Sequence, residues 1–109
     1  MAYDKELAHR IRENLSGEAG VVEKPMFGGL AFLIDGNMAL AASGKGGLMV
    51  RSDPADESTL AEAGVSPMVM RGRELKGWLR VTADVIDADD ALTKWVRHGV
   101  AYARTLPPK

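Results

Sequence analysis

The sequence predicts an α+β domain in which helices pack against an antiparallel sheet. Apolar residues recur at helical spacing near both ends of the chain, whereas its middle breaks into short apolar runs separated by glycine-rich turn signals. The predicted order is one helix, three or four strands, a helix, two strands and a last helix. At 109 residues the chain has the size of one domain, which we expect to span residues 1–109.

The first helix is predicted between Tyr3 and Ser16, because apolar residues recur there every three or four positions. Asp4 is a suitable N-cap, and Ser16-Gly17 supplies the stop signal. The apolar stripe consists of Leu7, Ala8, Ile11 and Leu15. We therefore expect a surface helix that buries this one stripe.

Residues 21–51 change to short apolar runs, which are typical of strands. Gly28-Gly29, Asp35-Gly36-Asn37 and the segment 43–47 separate the runs. Asp-Gly between two apolar runs is a strong hairpin signal. The region therefore predicts an antiparallel meander of three or four strands, with Gly28, Gly29 and Gly36 as structural turn residues.

A second helix and a second hairpin are predicted to follow. Asp53-Pro54 has the pattern of a helix start, and Gly64 is a suitable end. Met68-Val69-Met70 and residues 76–81 then form two apolar runs around the polar bend at 71–74. Strand alternation puts Trp78 and Arg80 on one face of this hairpin and Leu79 and Val81 on the other. Gly77 is the fourth structural turn residue that we predict.

The last helix is the best-defined element of the sequence. Asp87 is predicted to open it, with acidic residues in the first turn where the helix dipole favours them. Pro107-Pro108 is predicted to stop it. Its apolar stripe runs through Leu92, Trp95, Val96, Gly99, Val100, Ala103 and Leu106.

Composition narrows the classes of function and the expected location. A net charge of -1 argues against a protein that mainly coats nucleic acid or acidic membranes. The chain has no cysteine, which excludes disulfides, thiolate metal sites and cysteine nucleophiles. Its polar N-terminus is not a signal peptide, and no apolar run approaches the roughly 20 residues that a membrane span needs. We expect a soluble cytoplasmic protein that does not bind membranes.

The glycine-rich segments do not match known phosphate-binding motifs. A phosphate loop leads into a helix, whose N-terminal amides face the phosphate. Gly28-Gly29 instead leads into Leu30-Ala31-Phe32, which is a strand sequence. Ser43-Gly44-Lys45-Gly46-Gly47 also precedes a strand. A bend and a flexible hairpin tip are the favoured interpretations, with an anion site at 43–47 as the alternative.

No catalytic or metal-binding pattern is visible in the sequence. His9 and His98 are the only histidines, and both are interpreted as solvated residues on charged helix faces. The carboxylate pairs Asp56/Glu57 and Asp89/Asp90 lie at predicted helix starts, where the dipole explains them. Serines occur only at turns or caps, namely Ser16, Ser43, Ser52, Ser58 and Ser66. We predict no enzyme activity, no cofactor, no metal and no small-molecule substrate.

The second hairpin carries the candidate interaction surface. Its four cations lie close to Trp78 in sequence and could bind nucleic acid, although a solvated edge that resists unwanted strand pairing is the simpler interpretation. The chain's methionines, five of them in predicted strands, are explained as core filler or, alternatively, as an adaptable binding surface. The candidate surface comprises Met68, Met70, Arg71, Arg73, Lys76, Trp78 and Arg80.

The same segments resemble the N-terminal domain of the TfoX/Sxy family, which is named for regulators of natural competence in bacteria. The resemblance rests on "KPMFGGLAFLIDGNMAL", "LMVR", "GVSPMVMRGRELKGWLRV" and "WVRHGVAYARTLPPK", in this order. Met26-Phe27-Gly28-Gly29 and Lys76-Gly77-Trp78 are its most distinctive parts. It covers nearly the whole chain.

The resemblance implies a secretion-chaperone-like α+β fold with no established catalytic residue, metal or cofactor. Competence regulators of this family resemble co-activators that work with a cyclic-AMP receptor protein, and many carry a second, helical C-terminal domain. This sequence is expected to be a stand-alone N-terminal domain, since it ends at Lys109. A protein-interaction or regulatory module, self-associating or bound to another protein, is the favoured function. Nucleic-acid binding is the alternative, and an enzyme of unknown class is the third.

Overall fold

The structure, a computed structural model, describes residues 3–26, 28–44, 46–53, 62, 64–70 and 72–108, without the side chains of Met70 and Lys76. Along the chain, one helix is followed by a group of four strands, then by a group of two strands, and finally by two helices. The elements are α1 (Lys5–Asn14), β1 (Val21–Met26), β2 (Gly29–Ile34), β3 (Asn37–Ala42), β4 (Leu48–Arg51), β5 (Val65–Met70), β6 (Arg73–Val81), α2 (Ala83–Ile86) and α3 (Asp89–Ala103).

The described strands form one antiparallel sheet in the order β1-β2-β3-β4-β6-β5. Strands β1 to β4 are neighbours in sequence and in space, so the predicted meander is confirmed. The second predicted hairpin is also confirmed, and β6 joins it to the meander by pairing with β4. Both edge strands contain a proline, Pro25 in β1 and Pro67 in β5. Prolines at these positions oppose the addition of a further strand.

Local turn chemistry explains how the strands reverse and bend. Asp35 and Gly36 both have positive φ, 52° and 85°, as the tight Asp-Gly hairpin requires. The β2–β3 register shifts between Phe32 and Leu33, so that β3 carries an extra residue there. A larger shift in the β5–β6 ladder lies beside Gly77, whose φ is 86°. These irregularities bend the sheet away from a flat ribbon.

The main core lies between one face of the sheet and the helices. Trp95, Phe32 and Ile11 are its largest fully buried side chains. Helix α3 crosses β3 and β4, and α1 and α2 pack against α3. The Asp4 carboxylate caps α1 by accepting hydrogen bonds from the backbone N–H groups of Glu6 and Leu7, at 3.0 and 3.2 Å. The predicted α+β class is therefore confirmed.

The start of the last helix is a correction to the sequence analysis. Helix α3 begins at Asp89 rather than Asp87, and α2, four residues long, precedes it unpredicted. The Arg10 guanidinium donates to the carbonyls of Ile86 and Asp87, at 2.9 and 3.2 Å, and therefore stabilises the end of α2. A single helical turn has no periodicity to detect, and its long-range partner is invisible in the local sequence.

The end of the last helix also differs from the prediction. Helix α3 ends at Ala103, before the Pro107-Pro108 pair that was expected to stop it. The backbone carbonyl of Pro107 instead accepts a hydrogen bond of 2.9 Å from the buried Asn37 side chain, which ties the C-terminal segment to β3. The second predicted helix, which would follow Asp53, lies outside the described residues.

The Arg12–Glu23 ion pair, which joins α1 to β1, gives the fold a predictable acid sensitivity. Arg12 donates two hydrogen bonds to the Glu23 carboxylate, at 2.5 and 2.8 Å, and they lower the pKa of Glu23. A carboxylate with a lowered pKa stabilises the fold above its unfolded-state pKa of about 4.3, and this contribution is lost as the pH falls through the folded-state pKa. Both side chains are partly exposed, so the effect is small.

We therefore expect Glu23→Gln to reduce stability slightly at pH 7 and not at all once the pH lies below the lowered pKa of Glu23. Urea unfolding at a series of pH values measures the difference between the variant and the wild type. Glu13→Gln is the matched control, because Glu13 lies next to Arg12 on α1, is exposed, and has an ion-pair distance of 3.8 Å to His9 rather than to Arg12. A loss for Glu23→Gln that is equal at both ends of the pH range would contradict the assignment.

Candidate functional site

A second apolar cluster lies on the face of the sheet opposite the main core. Its buried members are Ala31, Met38, Ala41 and Met49, and its half-buried outer members are Met26, Leu33, Met68 and Trp78. All eight come from strands, and none of the described helices contributes to the cluster. We call these eight residues the methionine face. It is the most distinctive apolar feature of the described structure outside the main core.

The strand ladder explains why these residues meet. Ala31 pairs with Ala41, and Ala41 pairs in turn with Met49. Directly paired residues share a face of the sheet. Ala31, Ala41 and Met49 therefore form a row across β2, β3 and β4 on one face. The neighbouring Leu33 and Met38 pair with each other on the same face. Ala31 and Ala41 are buried, and the four outer members of the cluster are the more exposed ones.

One end of the methionine face carries an arginine between two aromatic rings. The Arg51 guanidinium lies 5.0 Å from the ring centre of Trp78, its partner in the β4–β6 ladder. It also lies 5.8 Å from the ring centre of Tyr102 on α3. Both distances are within the range of cation–π attraction. The rings hold the guanidinium at the point where the sheet meets the end of the helical layer.

The structure brings together only part of the surface that the sequence predicts. Met68 and Trp78 belong to the methionine face, and Arg80 pairs with Met49 beside them. Arg73 is exposed near the hairpin turn, where it pairs with Met70. Arg71 lies outside the described residues. The side chains of Met70 and Lys76 are likewise outside what the structure describes, although both positions lie in the hairpin strands.

Sequence reasoning missed the contribution of β1 to β4 to this surface. Met26, Met38, Met49 and Arg51 were not assigned to it, although strand methionines were recognised as a candidate binding surface. Strands β2 and β3 are buried on both faces, so alternation of polar and apolar residues cannot separate the faces. The only usable signal was the number of methionines in predicted strands.

His98 and Ser52 correct the expectation of a solvated surface histidine. His98 is half-buried on α3, and its Nε2 lies 2.9 Å from the Oγ of Ser52, which is 1% exposed. The imidazole also packs edge-on against Trp95, with the ring centres 5.4 Å apart. A backbone hydrogen bond also holds Ser52 in place, because its N–H donates to the Gly77 carbonyl at 2.8 Å. The pair therefore joins α3 to the sheet beside Arg51.

The glycine-rich segments approach each other backbone to backbone. A Cβ on Gly29 would lie 2.1 Å from the carbonyl oxygen of Ala42, and one on Gly44 would lie 2.4 Å from that of Gly28. Within the 43–47 loop, the Gly46 N–H donates to the Ser43 carbonyl at 3.1 Å. Lys45 lies outside the described residues. The described glycines thus allow two loops to pack closely.

Two carboxylates, Glu23 and Asp84, have pKa values that structural contacts lower. The pKa values of Glu23 and Asp84 are both lowered, the first mainly by Arg12 and the second mainly by a hydrogen bond with the Thr82 side chain. A general acid at neutral pH needs a raised pKa instead. Two grooves on the helical side, of about 240 and 510 Å³, contain neither residue. Within the described ranges, no group of three histidine, aspartate or glutamate residues could hold a metal ion.

The described helices and two comparisons with known proteins indicate what kind of protein this is. Among the described helices, none has both the length and the apolar character needed to cross a membrane. No curated protein sequence matches the chain. The family model of the TfoX N-terminal domain, however, matches residues 13–103, which include nearly all the described strands and helices together with the methionine face. On this evidence the chain belongs to the TfoX N-terminal domain family.

Proposed function

We propose that this protein is a non-catalytic, regulatory interaction module whose methionine face binds a partner protein. The observation that carries the proposal is the collection of four methionines, Leu33 and Trp78 on a face to which no described helix contributes. Methionine side chains are flexible and polarizable, so they adapt to irregular apolar surfaces. Tryptophan is among the residues that contribute most to binding energy at interfaces.

The two edges of the sheet favour the face as the binding surface. A partner that added a strand would have to pair with β1 or β5, and each of these contains a proline. Proline lacks the N–H group that such pairing uses. A partner that packs onto side chains needs no free backbone edge. The family membership supports a regulatory type of domain, and competence-type regulation is the finer role that the resemblance implies.

Met68→Glu and Val69→Glu test the proposal as a matched pair. These neighbours on β5 point to opposite faces: Met68 lies in the methionine face, whereas Val69 is 56% exposed on the other face. We expect Met68→Glu to reduce partner binding at least about tenfold, because it puts a carboxylate where the partner would have to bury apolar side chains. Val69→Glu should leave binding within about twofold, since single exposed changes seldom matter.

Affinity capture with the wild type and both variants, quantified by mass spectrometry, measures retention of the partner. Light scattering on the same samples distinguishes a partner from a second copy of this chain. Circular dichroism verifies that both variants are folded. Equal retention by wild type and Met68→Glu would show that the partner binds elsewhere. A wild-type protein that stays monomeric and retains nothing would contradict the proposed function.

The alternative of nucleic-acid binding has less support from the geometry. Base stacking requires an accessible aromatic ring. The Trp78 ring is half-buried, contacts the methionine cluster and stacks with Arg51. Its position therefore suits a tryptophan within a protein interface better than an open stacking platform.

A further inference from the structure

We propose that Arg51 is the anchor for a carboxylate of the partner, and that the partner binds through an acidic segment whose apolar residues cover the methionine face. This inference rests on the proposed function and specifies its chemistry. It starts from the position of Arg51 between Trp78 and Tyr102. We call these three residues the arginine clamp.

Two aromatic rings position the guanidinium of the arginine clamp. Aromatic stacking uses the flat faces of the guanidinium, whereas its N–H donors lie in the plane. The contacts that hold the Arg51 guanidinium are those with the two rings. Arg10, Arg12 and Arg104 differ in this respect, because each donates to a carboxylate of the chain itself. Arg51 is therefore positioned by aromatic rings, and its in-plane donors are the groups that we assign to the partner's carboxylate.

Such an arrangement suits a planar anion. A carboxylate can accept two parallel hydrogen bonds from one guanidinium, and charge-assisted bonds of this kind are stronger than neutral ones. The rings restrict the motion of the side chain before the partner arrives, which reduces the entropy lost on binding. The half-buried surroundings also weaken competition from water.

The charge around the methionine face indicates an acidic occupant. Lys24 pairs with Ala31, Arg80 with Met49, and Arg51 with Trp78, so all three cations share the face. Among the described residues of β1 to β4, none that the strand pairing places on this face is acidic. A second copy docked face to face would bring like charges together. An acidic segment with apolar residues would complement both the cations and the methionines.

Selection from a display library of random twelve-residue peptides tests this inference. The wild-type chain is the bait, and the selected peptides are then measured against variants by fluorescence anisotropy. We expect the peptides to be enriched in Asp or Glu next to apolar residues. Arg51→Gln should weaken their binding at least about tenfold, as the loss of a charge-assisted pair implies. Arg51→Lys should also weaken it, because lysine keeps the charge but not the planar fork.

Arg97→Gln is the matched control, because Arg97 is an exposed arginine on α3 outside the methionine face. It removes the same charge and should change affinity less than about twofold. Circular dichroism of every variant verifies the fold. Equal binding by wild type and Arg51→Gln, peptides without acidic enrichment, or no selected peptide at all would overturn the inference.

Further arms of the experiment separate this inference from the proposed function. If Met68→Glu abolishes binding of selected peptides while Arg51→Gln does not, the methionine face is supported as the binding surface and Arg51 is not the anchor. If Arg51→Gln weakens binding while Met68→Glu does not, the role of Arg51 is supported and the methionine face is not the binding surface. Binding of a twenty-nucleotide oligothymidine with an Arg51-dependent affinity above that of the peptides would overturn the acidic-segment inference in favour of nucleic acid. Wild-type dimers dissociated by Arg51→Gln would overturn it in favour of self-association.

Discussion

Replacing Trp95 by Ala is expected to lower the free energy of unfolding by about 3–5 kcal/mol, as large-to-small changes of buried aromatic residues do. Trp95 is 1% exposed and is the largest fully buried side chain of the main core. Its ring also contacts His98 edge-on and lies 5.0 Å from the Lys94 ammonium. The variant would therefore lose apolar burial and leave a cavity between α3 and the sheet.

Chemical denaturation followed by circular dichroism measures this loss. The second tryptophan provides the control, since Trp78 is half-buried on the methionine face. Trp78→Ala should cost about 1 kcal/mol, within the usual range for a partly exposed side chain. A domain of this size has a total stability of about 5–15 kcal/mol, so Trp95→Ala leaves the fold marginal. Equal losses for the two variants would contradict the assignment of the main core.

Replacing Gly29 by Ala is expected to be the next most damaging change, at about 3 kcal/mol, the upper part of the range for overpacking. A Cβ at this position would lie 2.1 Å from the Ala42 carbonyl oxygen and 3.1 Å from the Gly44 amide nitrogen. Both are backbone atoms, which cannot rotate away as a flexible side chain can. The start of β2 would have to separate from the end of β3.

The adjacent Gly28 separates this packing effect from backbone strain. Gly28 has a φ of 75°, but a Cβ there would meet no atom within 4 Å. Gly28→Ala should therefore cost about 1 kcal/mol, the penalty of a left-handed conformation alone. Thermal unfolding of both variants, under the same buffer and scan rate, gives the comparison. A Gly28→Ala variant less stable than Gly29→Ala would show that turn conformation, and not close approach, requires these glycines.

Much of the fold follows from local patterns that the sequence displays openly. The N-cap and apolar stripe of α1, the Asp35-Gly36 hairpin and the second hairpin all lie where periodicity and turn chemistry predict them. These features depend on residues close together in the chain, so the printed sequence contains nearly all the relevant information. Helix α2 is the counterexample, since Arg10 caps it from 76 positions away.

The candidate site was far less predictable than the fold. The sequence pointed to one hairpin, whereas the methionine face draws residues from β1 to β6. Arg51 had no distinguishing local pattern, because its environment is made by Trp78 on another strand and Tyr102 on a helix. His98 looked solvated for the same reason, since Ser52 lies 46 positions away in the sequence.

By itself, the sequence determined the α+β class, most turns and the apolar stripes of the first and last helices, because these depend on the intrinsic geometry of short segments. Only the tertiary structure decided which face of the sheet the helices cover and which residues meet on the other. Strands β2 and β3 are apolar on both sides, so their sequence suits either face equally well. The side that α3 packs against, through the close approach of Gly99 to Ala39, resolves that choice. It leaves Met26, Met38, Met49 and Met68 together on the opposite face.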